Sequence, residues 1–329
     1  MIPEDQIFPV DPTALRVRHA PRPASTLKPF SPGDVLVGAT LLDNPKDDHA
    51  GQGRIIQFDA DLNEKGVLWL TGTTHLVYGL GFAPDGTLWA QDPWAWTTVR
   101  VSPEGQQLLN LQFDHRAFSK VHFMADGTLL FTEMLDGEHQ PDPLTTRHRP
   151  LPGHRKHLGD GDLWRYTPDG ELVEMLEPEV HGGMSGSMGV THSVLSSDQS
   201  RLFYVSETGP RLMQFDLVNG RQLPDLRSGT EGDRTMMHFD LSMTPEGILM
   251  VCMGNRIDAL SQDGVWLRSY PLPGFGWSII DASAGTHAFT GNWFSGEVVK
   301  LDLTSGEIVA RTMVAPKCMA GIAQYLPAR

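Results

Sequence analysis

The chain has 329 residues, 40% of them hydrophobic, and a formal net charge of −14. That length supports a sizeable core, and the acidic balance argues against nucleic acid or an anionic membrane as partner, since both call for a basic face. No apolar run is long enough to span a bilayer, the first residues lack the layout of a secretory signal, and two cysteines give no disulfide framework, so a cytoplasmic protein is expected.

Residues 1–32 hold several prolines, as in PRPASTLKPFSPG, and no strand alternation. They read as an extended arm on the surface or a partly disordered tail. Residues 33–329 read as one domain. Its first strands are DVLVGATLL (34–42), GRIIQFD (53–59) and VLWL (67–70). Glycine-centred turns then recur at Gly66, Gly105, Gly170, Gly220, Gly264 and Gly306, spaced 39, 65, 50, 44 and 42 residues apart. A second series, Gly86, Gly127, 198–200, Gly247 and Gly285, precedes members of the first. Asp-Gly and Glu-Gly between apolar runs are hairpin signals, because glycine supplies the positive φ of a tight turn. Cys252, in ILMVCMG, reads as a small buried apolar residue of one such strand.

A period near 40 residues with strand, turn and strand in each unit predicts an all-β, six-bladed β-propeller with four-stranded blades. Blades stack because a lone four-stranded sheet cannot bury both faces. The chain ends in CMAGIAQYLPAR, an inner-strand pattern without a partner. Residues near 319–326 are therefore expected to join the N-terminal blade and close the ring.

The tight glycine turns occupy one face of such a ring. The long connections, 44–52, 134–161, 179–190 and 227–236, fall on the other, which is the expected working face. The insertion 134–161 carries His139, His148, His154 and His157 within a basic cluster, RHRPLPGHRKH. It is expected as a lid over the channel mouth, or else as a solvated excursion or an oligomer contact. Its histidine spacing matches no zinc motif. HGGMSGSMGV (181–190) lacks the lysine of a phosphate loop, and Ser185 and Ser187 have no nucleophile-elbow context.

Two rings of polar residues flank that face. The second strands end in Asp43, Asp92, Glu133, Glu207, Asn255 and Asn292. Such groups commonly satisfy backbone N–H groups of the next loop. The inner strands open with His75 and Tyr78, Lys120 and His122, His192 and Ser193, His238 and Asp240, Trp277 and Ser278, and Met319. Alternate residues of an inner strand line the channel, so His122, His192 and His238 are expected to converge. His238 and Asp240 should share a strand face, roughly 6.5–7 Å apart.

The expected catalytic set is His192, His238, Glu207, Asp240 and Lys120, with either histidine a general base oriented by Asp240 or Glu207. The expected metal ligands are His122, His192, His238 and Glu133. Imidazoles with carboxylates suit zinc, iron or manganese, whereas calcium prefers oxygen donors alone. Tyr78, His75, Trp94, Trp277, Trp293 and Asn292 are the expected substrate contacts, and Trp96 lies on the same face. Aromatic walls there suit an apolar or ring-bearing substrate, although the tryptophans also suit plain blade packing.

GFAPDGTLWAQD and SVLSSDQSRLFYVSETG resemble blades of the six-bladed senescence-marker-protein/gluconolactonase and NHL-repeat group. Strictosidine-synthase-like and paraoxonase-like proteins share that architecture. The resemblance covers about residues 33–329 and rests on blade grammar. It implies a divalent ion on the axis, held by Glu, Asn and Asp from inner-strand starts. Where the family has Glu-Gly-Pro and Pro-Asn-Gly, this chain reads Tyr78-Gly79-Leu80 and Ser187-Met188-Gly189, with Asp240 near the aspartate place. The histidines at these places point to different metal chemistry, or none.

The function expected is metal- or histidine-assisted hydrolysis of a small lactone or ester in the channel mouth. A lyase, isomerase or oxygenase using the same histidines, and a non-catalytic binding propeller, are the alternatives. Oligomeric state is open.

Overall fold

The computed structural model describes residues 23–114, 116–134, 159–180, 189–229 and 236–326. Among them there is no α-helix, and thus no helix long and apolar enough to cross a membrane. Six antiparallel sheets stand around one axis as the blades of a propeller.

Blade one takes β1 (Val35–Asn44), β2 (Asp47–Phe58) and β3 (Glu64–Trp69). Blade two takes β4 (Tyr78–Phe82), β5 (Leu88–Asp92) and β6 (Thr97–Val101). Blade three takes β7 (Phe118–Phe123), β8 (Leu129–Glu133), β9 (Leu163–Tyr166) and β10 (Leu172–Leu176). Blade four takes β11 (His192–Leu195), β12 (Arg201–Val205), β13 (Arg211–Asp216) and β14 (Arg221–Ser228). Blade five takes β15 (Leu241–Met243), β16 (Leu249–Cys252), β17 (Arg256–Leu260) and β18 (Trp266–Pro271). Blade six takes β19 (Trp277–Asp281), β20 (His287–Asn292), β21 (Glu297–Asp302) and β22 (Ile308–Met313). The last strand, β23 (Met319–Gln324), returns to blade one as its inner strand, in register from Val35↔Gln324 to Ala39↔Met319. The ring closes where the C-terminal pattern places it.

Two details depart from the sequence reading. The 44–52 connection is not a loop, because β2 begins at Asp47 and pairs with β1 up to Asn44. Blade two has three strands, and residues 107–111 meet β6 only at the bridges Thr98–Leu111 and Val101–Gln107. There the side chains of Gln107 and Asn110 bond the carbonyl of Thr71, so this segment is fastened through its side chains as well as by bridges.

Each seam between neighbouring blades is filled by its own apolar layer. Leu36, Ile55, Leu80 and Val99 fill the first, and Trp277, Ile280, Cys252 and Met250 fill the fifth. Inner strands of adjacent blades do not pair with one another, so side chains staple them. The N–H groups of Ile280 and Ala282 donate to Asp240 and Ser242 at 2.9 Å each. The Gln324 N–H donates to Asp281 at 2.7 Å. Unpaired backbone groups at the crowded axis are thereby satisfied. Gly79 is required there: at φ +55, a Cβ would collide with the carbonyl of Ser119 on the next blade.

Residues 23–32 run along the rim of blades one and two. The Thr26 N–H donates to the Val67 carbonyl at 2.7 Å, and the Trp69 N–H to the Ser25 hydroxyl at 3.1 Å, which covers the edge of β3. Phe30 packs against Phe82 of blade two and Tyr325, next to the closing strand. Residues 135–158, the body of the expected lid, lie outside the described residues, as do 1–22 and 181–188.

Candidate functional site

The inner strands deliver their first residues to the mouth of the channel. Tyr78 opens β4, and its ring sits in an apolar collar with Trp96, Ala117, Met134 and Ala320. Its hydroxyl reaches His192, the first residue of β11, at 2.9 Å from Nε2 and 3.2 Å from Nδ1. Blade three lies between their two blades, so this contact crosses the opening rather than a seam.

The surrounding bonds suit the tautomer of His192 that carries its hydrogen on Nδ1. The Thr191 hydroxyl donates its one proton to the Val205 carbonyl at 3.0 Å. Its oxygen also accepts the Glu207 N–H at 2.7 Å. Toward His192 Nδ1, at 3.2 Å, the Thr191 oxygen can therefore only accept. With the hydrogen on Nδ1, Nε2 is the acceptor for the Tyr78 O–H. Burial, then the nearby charges of Glu207 and Asp240, push the Tyr78 phenol well above its ordinary value. Tyr78 is a neutral donor at physiological pH.

Glu207 ends near the same opening, half-buried, and its carboxylate makes no hydrogen bond among the described residues. Asp240 is close enough to act electrostatically on Tyr78, yet both its oxygens are engaged, by the N–H groups of Leu241 and Ile280. His122 Nε2 lies 2.8 Å from the Ser193 hydroxyl. From there a chain of hydroxyls runs through Thr132 and Ser119 to the Val190 carbonyl, tying blade three to blade four. Burial, then the charge of half-buried Lys120, hold His122 well below its ordinary value, so it is neutral.

The structure does not bring His238 to this group. Its Nδ1 donates to the Gly209 carbonyl at 3.1 Å, and it feels Arg227, Asp258 and Arg256, on β14 and β17 away from the axis. The expected alternation with Asp240 fails because β15 begins only at Leu241, so residues 238 and 240 are not successive positions of a strand. Glu133 is also elsewhere. It is fully buried, holds Arg116 through both oxygens, and accepts N–H groups from Asp160, Asp162 and the Trp164 indole. Burial pushes its carboxyl upward, with Arg116 and these donors opposing.

The remaining candidates serve the loops and the core. Asp92 accepts the N–H groups of Thr74, Trp94 and Ala95, and its burial raises the carboxyl to about 6. Asn292 accepts those of Phe294 and Ser295. Both are Asx-type caps of the turn that follows. Trp277 is wholly buried between blades five and six, its indole N–H donating to Pro273. His75 and Trp94 are buried beside one another, 6.2 Å between ring centroids, and Trp293 is half-buried. Sequence reasoning overlooked Thr191, visible only as the neighbour of His192. It also gave no special place to Trp96, whose φ of 51° is unusual for a bulky residue.

Among the described residues no three His, Cys, Asp or Glu side chains are grouped to hold a metal ion. Of the ligands expected from sequence, Glu133 is saturated by Arg116 and loop N–H groups, His238 faces another seam, and His122 and His192 bond Ser193 and Tyr78.

No family model and no curated protein matches the sequence. Solved structures do match in shape. The periplasmic gluconolactonase PpgL of Pseudomonas aeruginosa aligns at TM-score 0.56 and 17% identity, over 90% of this chain and 99% of that one. A propeller from a nidogen/laminin complex aligns at 0.59 and 12%, over 90% and 100%. A streptogramin B lyase aligns at 0.53 and 11%, over 88% and 86%. The chain shares the overall fold of these proteins, and its own sheets make six blades. At such identities the likeness concerns the fold alone.

Proposed function

We propose that this propeller is a small-molecule enzyme that hydrolyses a lactone or ester in its channel mouth, with His192 as general base. The observation that carries this reading is the Tyr78–His192 contact across the opening, with the phenol oxygen 2.9 Å from Nε2. In the reaction, the Tyr78 O–H turns to the substrate carbonyl oxygen. His192 Nε2 takes a proton from water as the water oxygen bonds to the carbonyl carbon. The carbon–oxygen bond of the leaving alkoxide then breaks, and the imidazolium returns the proton to it. Tyr78 stabilises the oxyanion as a neutral donor, and the nearby Glu207 carboxylate favours the transient imidazolium. The lactonase fold of PpgL supports the substrate class by analogy only.

The test is turnover of a lactone and ester panel in water labelled with oxygen-18. Hydrolysis places one labelled oxygen in the product acid. His192→Ala should lower kcat/KM by about 10²–10⁴-fold, and Tyr78→Phe by about 10²-fold or more. Undiminished turnover in both folded variants, or product formation without label, would reject the proposal.

A further inference from the structure

Phe275 and Phe294 are among the exposed large apolar side chains, at 41% and 54%. They belong to the working face: Phe275 lies in the connection entering blade six, and Phe294 in the turn after β20. Their rings are stacked, with centroids 6.3 Å apart and planes 29° from parallel. Phe275 also meets buried Phe239 edge-on at 5.9 Å. Phe239 belongs to the apolar layer between blades five and six, so the aromatic run extends from that seam onto the working face.

The two exposed rings are held in place. The Asn292 amide donates to the Phe275 carbonyl, and its oxygen accepts the Phe294 N–H at 2.9 Å. Gly276, at φ +113, passes under Phe294 so closely that a Cβ would strike the ring. Its N–H and that of Trp277 both bond the Gly254 carbonyl. A rigid, stacked aromatic pair with one face open loses little entropy when a further ring is added. It favours a planar π-face over a flexible alkyl chain, because offset stacking adds to area burial.

We infer that Phe275 and Phe294 form a stacking subsite for an aromatic ring carried by the substrate, on the face that also carries the Tyr78–His192 pair. The inference rests on the proposed function for its choice of probes, but its test reads binding. The probes are dihydrocoumarin, an aromatic lactone, and δ-valerolactone, its counterpart without the ring. Affinity is measured by ligand-observed NMR on His192→Gln protein, where turnover does not interfere.

Dihydrocoumarin should bind more tightly than δ-valerolactone. Phe294→Ala should weaken dihydrocoumarin about 5-fold while leaving δ-valerolactone within about 2-fold. Phe294→Leu, which keeps apolar area without a π-face, should behave like the alanine variant, and Phe294→Tyr should restore binding. Phe275→Ala provides a second position should Phe294 variants fold poorly. Equal binding of dihydrocoumarin by parent, Phe294→Ala and Phe275→Ala proteins, or no binding at all, would overturn the subsite. Ring-dependent binding in a protein whose His192 form fails to hydrolyse the probe would support the subsite and reject the reaction.

Discussion

Replacing Glu133 by alanine should destabilise the protein without being a catalytic lesion. The carboxylate accepts Arg116 Nε at 2.5 Å and Nη2 at 2.9 Å, the Asp160 and Asp162 amides at 3.1 and 3.3 Å, and the Trp164 indole at 3.3 Å. Truncation leaves a guanidinium, two amides and an indole N–H around a void. Breaking a buried pair in this way costs about 3–5 kcal/mol. Arg116 keeps its place over the Trp164 ring at 4.4 Å and its partner Asp160 at 3.6 Å, which favours the lower end. About 3 kcal/mol corresponds to a fall in Tm of about 5 °C for a domain of this size. Glu133→Gln keeps the shape and one acceptor oxygen, and should cost about half as much. Differential scanning calorimetry reads both. A Glu133→Ala protein melting within about 1 °C of the parent would refute the tether, and loss of turnover at unchanged melting would instead mark Glu133 as part of the site.

His238 should make stability depend on pH. Burial holds it down to about 4, so the folded form is neutral. Its contribution is fully present above the unfolded value of about 6.5 and is lost as pH falls from there toward 4, by at most about 3 kcal/mol. His238→Asn, which keeps a donor toward the Gly209 carbonyl, should flatten the urea midpoint between pH 7 and 4.5 relative to the parent. Parallel profiles for the two proteins would count against this. Truncation after Cys318 removes β23 and bares the edge of β1, and should abolish cooperative unfolding; an unchanged urea midpoint would show that closure contributes nothing.

The architecture was legible because tight turns need particular residues. Each Asp-Gly or Glu-Gly between apolar runs announced a hairpin, and the orphaned MAGIAQ strand announced the closure. Blade two's missing ladder was not legible, since QQLLNLQF has a strand's composition, and its Gln107 and Asn110 find the Thr71 carbonyl only in three dimensions. The site was half visible. His192 opens an inner strand in unbroken register with its neighbour, and Tyr78 opens β4 just ahead of an irregularity between Tyr78 and Gly81. His238 and Asp240 lie ahead of β15, where strand alternation does not apply. Asp92 and Asn292 took the loop-capping role common to short polar side chains at strand ends. Glu207 stands apart from them, because its carboxylate holds no loop N–H among the described residues.

The closing register has a mechanical consequence. Val35, where β1 starts, faces Gln324, where β23 stops, and the Tyr325 N–H bonds the Asp34 carbonyl at 2.7 Å. Both ends of the ring therefore leave from the same rung. Tension applied between the termini would load one pair of hydrogen bonds at a time and unzip the seam from that end, rather than shearing all rungs together. The propeller resists heat and denaturant as a closed circle, but a pull on its ends meets its weakest direction.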